Sequence, residues 1–524
     1  MKKPIQFLVL FVMVLSSVTC KRKGAEQTTS NNSTPTVDAL KFKERYRPQF
    51  HFSPPEKWMN DPNGLVYNDG VYHLFYQYYP GDIVWGPMHW GHATSTDLIH
   101  WNHKPIALYP DELGYIFSGS AVVDKQNTSG FGKPGDKPLV AMFTYHDAKK
   151  AETGAKNYQT QGLAYSLDNG KSWEKYSKNP VIGNDGMVDF RDPHMFWDAD
   201  HNTWVLILVA GDHAMFYQSE NLRDWTLKST FGKNNGAHGG VWECPDLFKL
   251  QVEGTQEEKW VLFISINPGG PNKGSATQYF VGAFDGETFT PDHQDIKWLE
   301  YGMDNYAGIT YNNAPNNERI FIGWMSNWLY GQETPTQAWR SAMTLPRNLK
   351  LFSDDGNYYL KNYPIENFKD LTTSVETIKE IALEDVFDYQ SDDLMTSDIS
   401  FKANLKDDLT LVFSNDKDEH YDIFLNPTNK TMSIDRSQSG IVDFGKDFAA
   451  QNQVQPYQPK DEIVAFRIIL DKASIELFID NGRYVFTNIV FPTEDYKQFK
   501  VSSKAGNSLL NFSINHVNAI WNHE

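Results

Sequence analysis

The chain has 524 residues, more than a single hydrophobic core usually serves, so two domains are the expected organisation. Its formal net charge of -18 argues against a polyanionic partner such as nucleic acid, because that binding depends on Lys and Arg displacing counterions from phosphates; a neutral or cationic ligand is favoured. Aromatic residues make up 14% of the chain, a share that suits sugar faces as well as cores, since flat amphipathic rings pack against both.

The chain begins Met1-Lys2-Lys3, continues through a short apolar run from Ile5 to Leu15 and reaches "SSVTC" ending at Cys20. The run is too short for a spanning helix and has the flanks of an export signal, so residues 1–20 read as a signal peptide of lipoprotein type, with Cys20 as the lipidated residue. An ordinary cleaved signal with an incidental cysteine is the alternative, because Thr19 is a loose fit to the small residue expected before an acylated cysteine. With only Cys20 and Cys244 present, no disulfide framework is implied. Residues 21–43 are polar and aperiodic at their start, "KRKGAEQTTSNNSTPTV", and read as a flexible tether reaching about 25 Å. An extracytoplasmic domain anchored to a bacterial membrane follows.

Next comes "WMNDPNG", Trp58 to Gly64, which taken alone reads as a turn with an apolar anchor. Beyond it, strand-like apolar runs recur at Val71–Tyr78, Pro138–Tyr145, Thr203–Ala210, Lys259–Ile266 and Arg319–Ser326. Similar edge motifs follow the first three: "STDLIHW" to Trp101, "SLDNGKSW" to Trp173 and "SENLRDW" to Trp225, with a weaker "FDGETF" to Phe289. Five units without helical periodicity predict a five-bladed β-propeller over residues 44–348. The residues before each apolar run then start the innermost strands. Asp61, Asp192, Glu243 and Asp304 are therefore expected to converge on one channel rim. His89 and His92 lack a third ligand at suitable spacing, so no metal site is predicted.

Past Leu349 the composition shifts to alternating strands rich in Lys and Asp, and "IDNG" at Ile479–Gly482 is a strong hairpin signal. A linker over 349–370 and a C-terminal β-sandwich over 371–524 are predicted. The fold class is all-β throughout.

The order of "WMNDPNG", "WGPMHWGHATSTDLIHW" at Trp85, "IFSGSAV" at Ile116, "FRDP" at Phe190, "WECPD" at Trp242, "PTQAWRSAMTLPRNL" at Pro335 and "DKASIELFIDNG" at Asp471 closely resembles the family 32 glycoside hydrolases, the invertase, inulinase and levanase group. The resemblance covers about residues 44–524 and implies a propeller followed by a sandwich. It implies a retaining hydrolase of β-fructofuranosidic bonds, with Asp61 as nucleophile, Glu243 as general acid and base, and Asp192 as transition-state stabiliser. Retention needs two carboxyl groups about 5 to 5.5 Å apart around an oxocarbenium-like state. By the same matching, Trp58, Met59, Asn60, Gln77, Trp85, Phe117, Ser118, Arg191, Asp304 and Trp324 are expected to shape the terminal fructose subsite. Arg191 is expected to keep Asp192 ionised, and Cys244 to be a small buried residue without redox chemistry. No cofactor is implied, and the partner is a fructan oligo- or polysaccharide.

The motifs "WGPMHWGHA" and "PTQAWRSAM" look like those of fructan β-fructosidases that remove terminal fructose, and a narrow funnel favours a chain end. An exo-acting enzyme on levan or inulin, and possibly on sucrose, is therefore the preferred reading. The alternatives are an endo-acting levanase, a fructosyltransferase using the same residues, and a non-catalytic fructan-binding protein. A family 43 type arabinanase shares propeller and acids but gives no reason for "WMNDPNG".

Overall fold

The computed structural model describes residues 42–384, 386–458, 461–503 and 506–521. The signal-type segment with Cys20 and the tether as far as residue 41 lie outside the described residues. Phe42, expected to end the tether, already belongs to the fold: its ring stacks on Trp521 with centroids 4.1 Å apart. Among the described residues no helix is long and apolar enough to cross a membrane.

Five sheets surround an axis. Their innermost strands are Lys57–Asn68, Tyr115–Val123, Phe190–Asp198, Val241–Gln251 and Tyr306–Thr310. Outside each lies one of the five apolar runs, Val71–Tyr79, Leu139–His146, Thr203–Ala210, Glu258–Asn267 and Ile320–Met325. These second strands are buried along most of their length, which is why they read as continuous hydrophobic stretches instead of alternating ones. Apolar layers fill the space between blades, with Val205 and Ile207 of the third sharing a cluster with Leu262 and Ile264 of the fourth. The ring closes where Lys57 and Trp58 pair in parallel with Trp339 and Arg340, and where Val66 bridges Asn312.

The three edge motifs form equivalent turns before the outermost strands. In each, a serine hydroxyl (Ser95, Ser166, Ser219) accepts backbone N–H bonds from residues further along, Leu98 at 2.8 Å, Gly170 at 2.8 Å and Asn221 at 3.1 Å.

A single device recurs on the axis. Each inner strand breaks register with its neighbour near its start: between Met59 and Pro62, between Ile116 and Gly119, at Arg191–His194, between Glu243 and Asp246, and between Tyr306 and Ile309. Such bulges redirect side chains toward one place. Asp192, Cys244 and Ala307 take up the strain with φ of 62°, 44° and 53°. "WMNDPNG" is therefore a bulged strand entrance, not the turn its composition suggests. Pro62 is tolerated because it falls at the bulge, beyond the Lys57–Trp58 pairing, where the ladder is already interrupted. Gly64, at φ 53°, lies so close to side chains from the next two strands of its blade that a Cβ there would meet Phe75 at 2.8 Å and Trp90 at 2.9 Å.

The boundary expected near residue 348 moves. Strands Arg347–Asp354 and Asn357–Pro364 pair with each other along their whole length and extend the fifth blade, so most of the predicted linker is blade. The C-terminal part is a sandwich of two six-stranded sheets, with Ile479 facing Tyr484 across the predicted hairpin. Ile469, Phe478, Val485, Val517 and Trp521 share an apolar cluster with Phe50, Phe52, Met343 and Leu345 of the propeller side. Buried charges cross the same seam: Arg347, held on its own side by Glu300 at 2.8 Å, donates to Glu476 at 2.6 Å, and His51 bonds Asp471 at 2.8 Å.

Candidate active site

The bulges of blades I, II, III and IV bring Asp61, Ser118, Asp192 and Glu243 to one mouth of the channel. There they line a pocket of about 330 Å³ with Asn60, Gln77, Trp85, Phe117 and Arg191. Wider cavities of about 510 and 830 Å³ lie at the opposite mouth and in the groove beside Arg467, away from this carboxylate cluster. Below the pocket the channel is crossed by Asn312, whose amide donates to Ala121 O at 2.9 Å and Met195 O at 3.0 Å. The pocket therefore has a floor.

Each acid is held by donors. Asp61 accepts from Ser118 Oγ at 2.6 Å on one oxygen and from Asn60 Nδ2 at 2.9 Å on the other. Asp192 Oδ2 accepts from the Cys244 backbone N–H at 3.0 Å, and the Asp192 N–H donates to Thr144 Oγ1 at 3.0 Å. Glu243 accepts from Arg191 Nη2 at 3.0 Å and from the Tyr306 hydroxyl. Arg191 also donates to Asp189 at 2.6 Å, while its Nε stands 3.9 Å from Asp192. Burial and the nearby Glu243 hold Tyr306 well above the ordinary tyrosine range, so it remains a donor.

The electrostatic balance is a surplus of negative charge. Burial raises the Asp61 pKa and Glu243 adds to the rise, against the lowering by Ser118 and Asn60. Asp192 is also raised, first by burial; Arg191 pulls it down, but Glu243 and Asp61 push it back up. Arg191 thus favours the ionised form of Asp192, the direction expected, but does not outweigh burial and the neighbouring acids, because the guanidinium is shared among three carboxylates and lies closest to the other two. The four groups together form a site that gains when a positive charge develops among them.

Three other expected contacts lie beneath the surface. Trp58, Met59 and Trp324 are fully buried; Trp58 Nε1 donates to Asn60 Oδ1 at 2.7 Å and so fixes the amide that bonds Asp61. Besides Trp85, the indole that reaches the pocket is Trp328, packed 4.8 Å from Trp324 and 6.0 Å from Trp58. Asp304 does not converge on the site. It is fully buried against the sandwich, where Arg436 donates to it at 2.6 Å; the residue of its blade that meets the acids is Tyr306, two positions on.

Sequence reasoning also missed His146, Tyr158, Gln159, Asp189 and Gln332 in the lining. His146 stacks on Phe117 with centroids 4.3 Å apart, and burial and then Arg191 lower its pKa to about 4, so it stands there as neutral imidazole. Two amide atoms of the lining, Gln77 Nε2 and Gln159 Oε1, are buried without a partner, leaving a donor and an acceptor for a ligand. His89 and His92 take separate places: His89 bonds Pro87 O at 2.9 Å, and His92 stacks on Phe75.

Residues 51–364 match the glycosyl hydrolases family 32 N-terminal domain, and residues 366–518 match the family 32 C-terminal domain. The chain is 39% identical over 532 residues to a levanase of Bacillus subtilis, covering 99% of this chain and 76% of that protein. It is 38% identical to the extracellular exo-inulinase of Aspergillus ficuum, covering 92% of this chain and 97% of that one. The crystal structure of exo-inulinase from Aspergillus awamori superposes with a TM-score of 0.82 at 36% identity, covering 92% of this chain and all of that one.

Proposed function

The chain belongs to glycosyl hydrolase family 32 and is a glycosidase of the fructan β-fructosidase type; from that premise we propose that it removes terminal fructose from levan- or inulin-type chains with retention at C2. Asp61 attacks C2 of the bound fructosyl unit as Glu243 protonates the leaving oxygen. Glu243 then takes a proton from the water that releases fructose, while Asp192 faces the oxocarbenium-like charge in both steps. The observation that carries this reading is the convergence of Asp61, Asp192 and Glu243 from three blades on one pocket, with Arg191 between Asp192 and Glu243. With Glu243 carrying the proton it donates, the negative charge of Asp61 and Asp192 is offset as the sugar becomes cationic, so the attraction is greatest in the transition state.

The exo preference rests on shape. A pocket of about 330 Å³ is at the small end of ligand sites, and the Asn312 crossing of the channel below it leaves no passage for a polymer. Gln77 and Gln159 can bond the hydroxyls of a terminal ring. A time course on levan and on inulin tests it: fructose as the sole early product supports the reading, and an early ladder of fructooligosaccharides replaces it with an endo-acting levanase. Glucose-containing transfer products at high sucrose concentration would instead make it a fructosyltransferase.

The place of action is part of the same proposal. The relatives include a protein described as extracellular, and the signal-type start of this chain suits export, with Cys20 as the lipid attachment that tethers the enzyme to the membrane.

A further inference from the structure

The wall of the pocket opposite blades II and III is a short segment that leaves blade V. Residues 326–332 place Trp328 and Gln332 in the lining, and Gln332 Oε1 accepts from the backbone N–H of Trp85 at 3.2 Å. Between these two pocket residues stands Tyr330, which is only 1% exposed and is turned away from the pocket. Its hydroxyl donates to Asp304 Oδ1 at 2.7 Å and accepts from Arg436 Nη2 at 2.7 Å.

Arg436 comes from the sandwich strand Thr431–Gln438. Its Nη1 donates to Asp304 Oδ2 at 2.6 Å and its Nε to Phe448 O at 2.9 Å, with the guanidinium 4.0 Å over the Phe448 ring. Asp304 Oδ2 also accepts from the Ile489 N–H at 3.0 Å. Burying a complete ion pair costs desolvation that an apolar contact would avoid, and what it gives in return is a fixed geometry. The three groups form a closed ring whose only member on the pocket segment is Tyr330.

We propose that Arg436 and Asp304 are positioning residues for the fructosyl-binding pocket: the sandwich holds Tyr330, and through it the Trp328–Gln332 wall, without touching substrate. This rests on the fructosidase reading for its substrate but not for its mechanics. The sandwich then takes part in substrate binding as well as covering the propeller.

Tyr330→Phe is the informative variant, because it removes the hydroxyl and leaves the Arg436–Asp304 pair to hold the domains together. We expect KM for fructan to rise about fivefold or more with kcat within about twofold, the pattern of lost binding common to ground and transition states. Hydrogen–deuterium exchange should quicken in residues 326–336 and stay unchanged in strand 431–438. Arg436→Gln should show both effects more strongly. As a control, Arg483→Gln breaks a different propeller–sandwich pair, to Asp354 at 2.8 Å; it should lower Tm without changing KM or the exchange of residues 326–336. Unchanged KM and exchange in Tyr330→Phe would overturn the proposal, as would an Arg483→Gln effect on KM of equal size. If the wild-type protein releases no fructose, the functional reading falls, and the exchange measurement alone decides whether Tyr330 is pinned from the sandwich.

Discussion

Cys244 directs its thiol at Asp61: Sγ lies 3.6 Å from Asp61 Oδ2, and equally 3.6 Å from Asp192 Oδ2. Burial raises the thiol well above its ordinary pKa, and Asp192, Asp61 and Glu243 raise it further, so it stays protonated as a weak donor between two acids. Cys244→Ala removes that donor from carboxyl groups already raised. The acidic limb of kcat/KM against pH should therefore move to higher pH, and Cys244→Ser, a stronger donor, should not move it that way. An unmoved limb in Cys244→Ala would reduce the thiol to packing.

The site is held at a cost to the fold. A carboxyl whose folded pKa exceeds its unfolded value destabilises the native state fully above both values, and the effect disappears as pH falls below the unfolded one. Asp61 and Asp192 are both raised, so at neutral pH Asp61→Asn and Asp192→Asn should keep or increase Tm while kcat falls by about 10²-fold or more. A clear drop in Tm for both would contradict this balance.

The seam between the two parts carries a pH dependence of opposite sign. Burial alone would suppress charge on His51, but Asp471 and Glu476 raise its pKa to about 9. Its stabilisation is complete below about 6.5, the unfolded value, and is lost as pH rises through about 9; a shift of that size is worth about 3 kcal/mol. Glu476, which Arg347 and His51 lower to about 2 against the effect of burial, stabilises above about 4.5 and loses this as pH falls toward 2. Tm should fall between pH 7 and 9 in the wild type and less steeply in His51→Gln. Equal slopes would place the pH dependence elsewhere.

Anchoring has its own test. Protein extracted from membranes should give an N-terminal peptide beginning with acylated Cys20. A mature N-terminus at Lys21 or later would contradict lipid attachment.

Where the sequence was legible, burial explains why. The second strand of each blade is covered on both faces, so Thr203–Ala210 or Leu139–His146 declares itself as an unbroken apolar run. Strands 347–364 are the outermost pair of blade V and half-exposed; their alternation resembles that of the sandwich strands, which is why the propeller was expected to end near 348. Asp304 stands at the repeat position of the other acids, yet its backbone N–H bonds Thr487 O at 3.1 Å and its side chain follows into the sandwich, a partner the local sequence does not reveal. Trp324 and Trp328 are alike in composition, and only the path of the segment after blade V decides which one meets the pocket. His146, Tyr158 and Gln332 reach it by tertiary folding alone.

The most direct test of the account is the identity of the covalent intermediate. Acid-quenched mixtures of Glu243→Gln enzyme with β-fructosyl fluoride, whose leaving group needs no proton from the missing acid, digested and read by mass spectrometry, should show one fructosyl unit attached to the peptide that contains Asp61. A fructosyl adduct on Asp192 or another residue, or turnover of the wild type with inversion at C2 and no adduct, would contradict it.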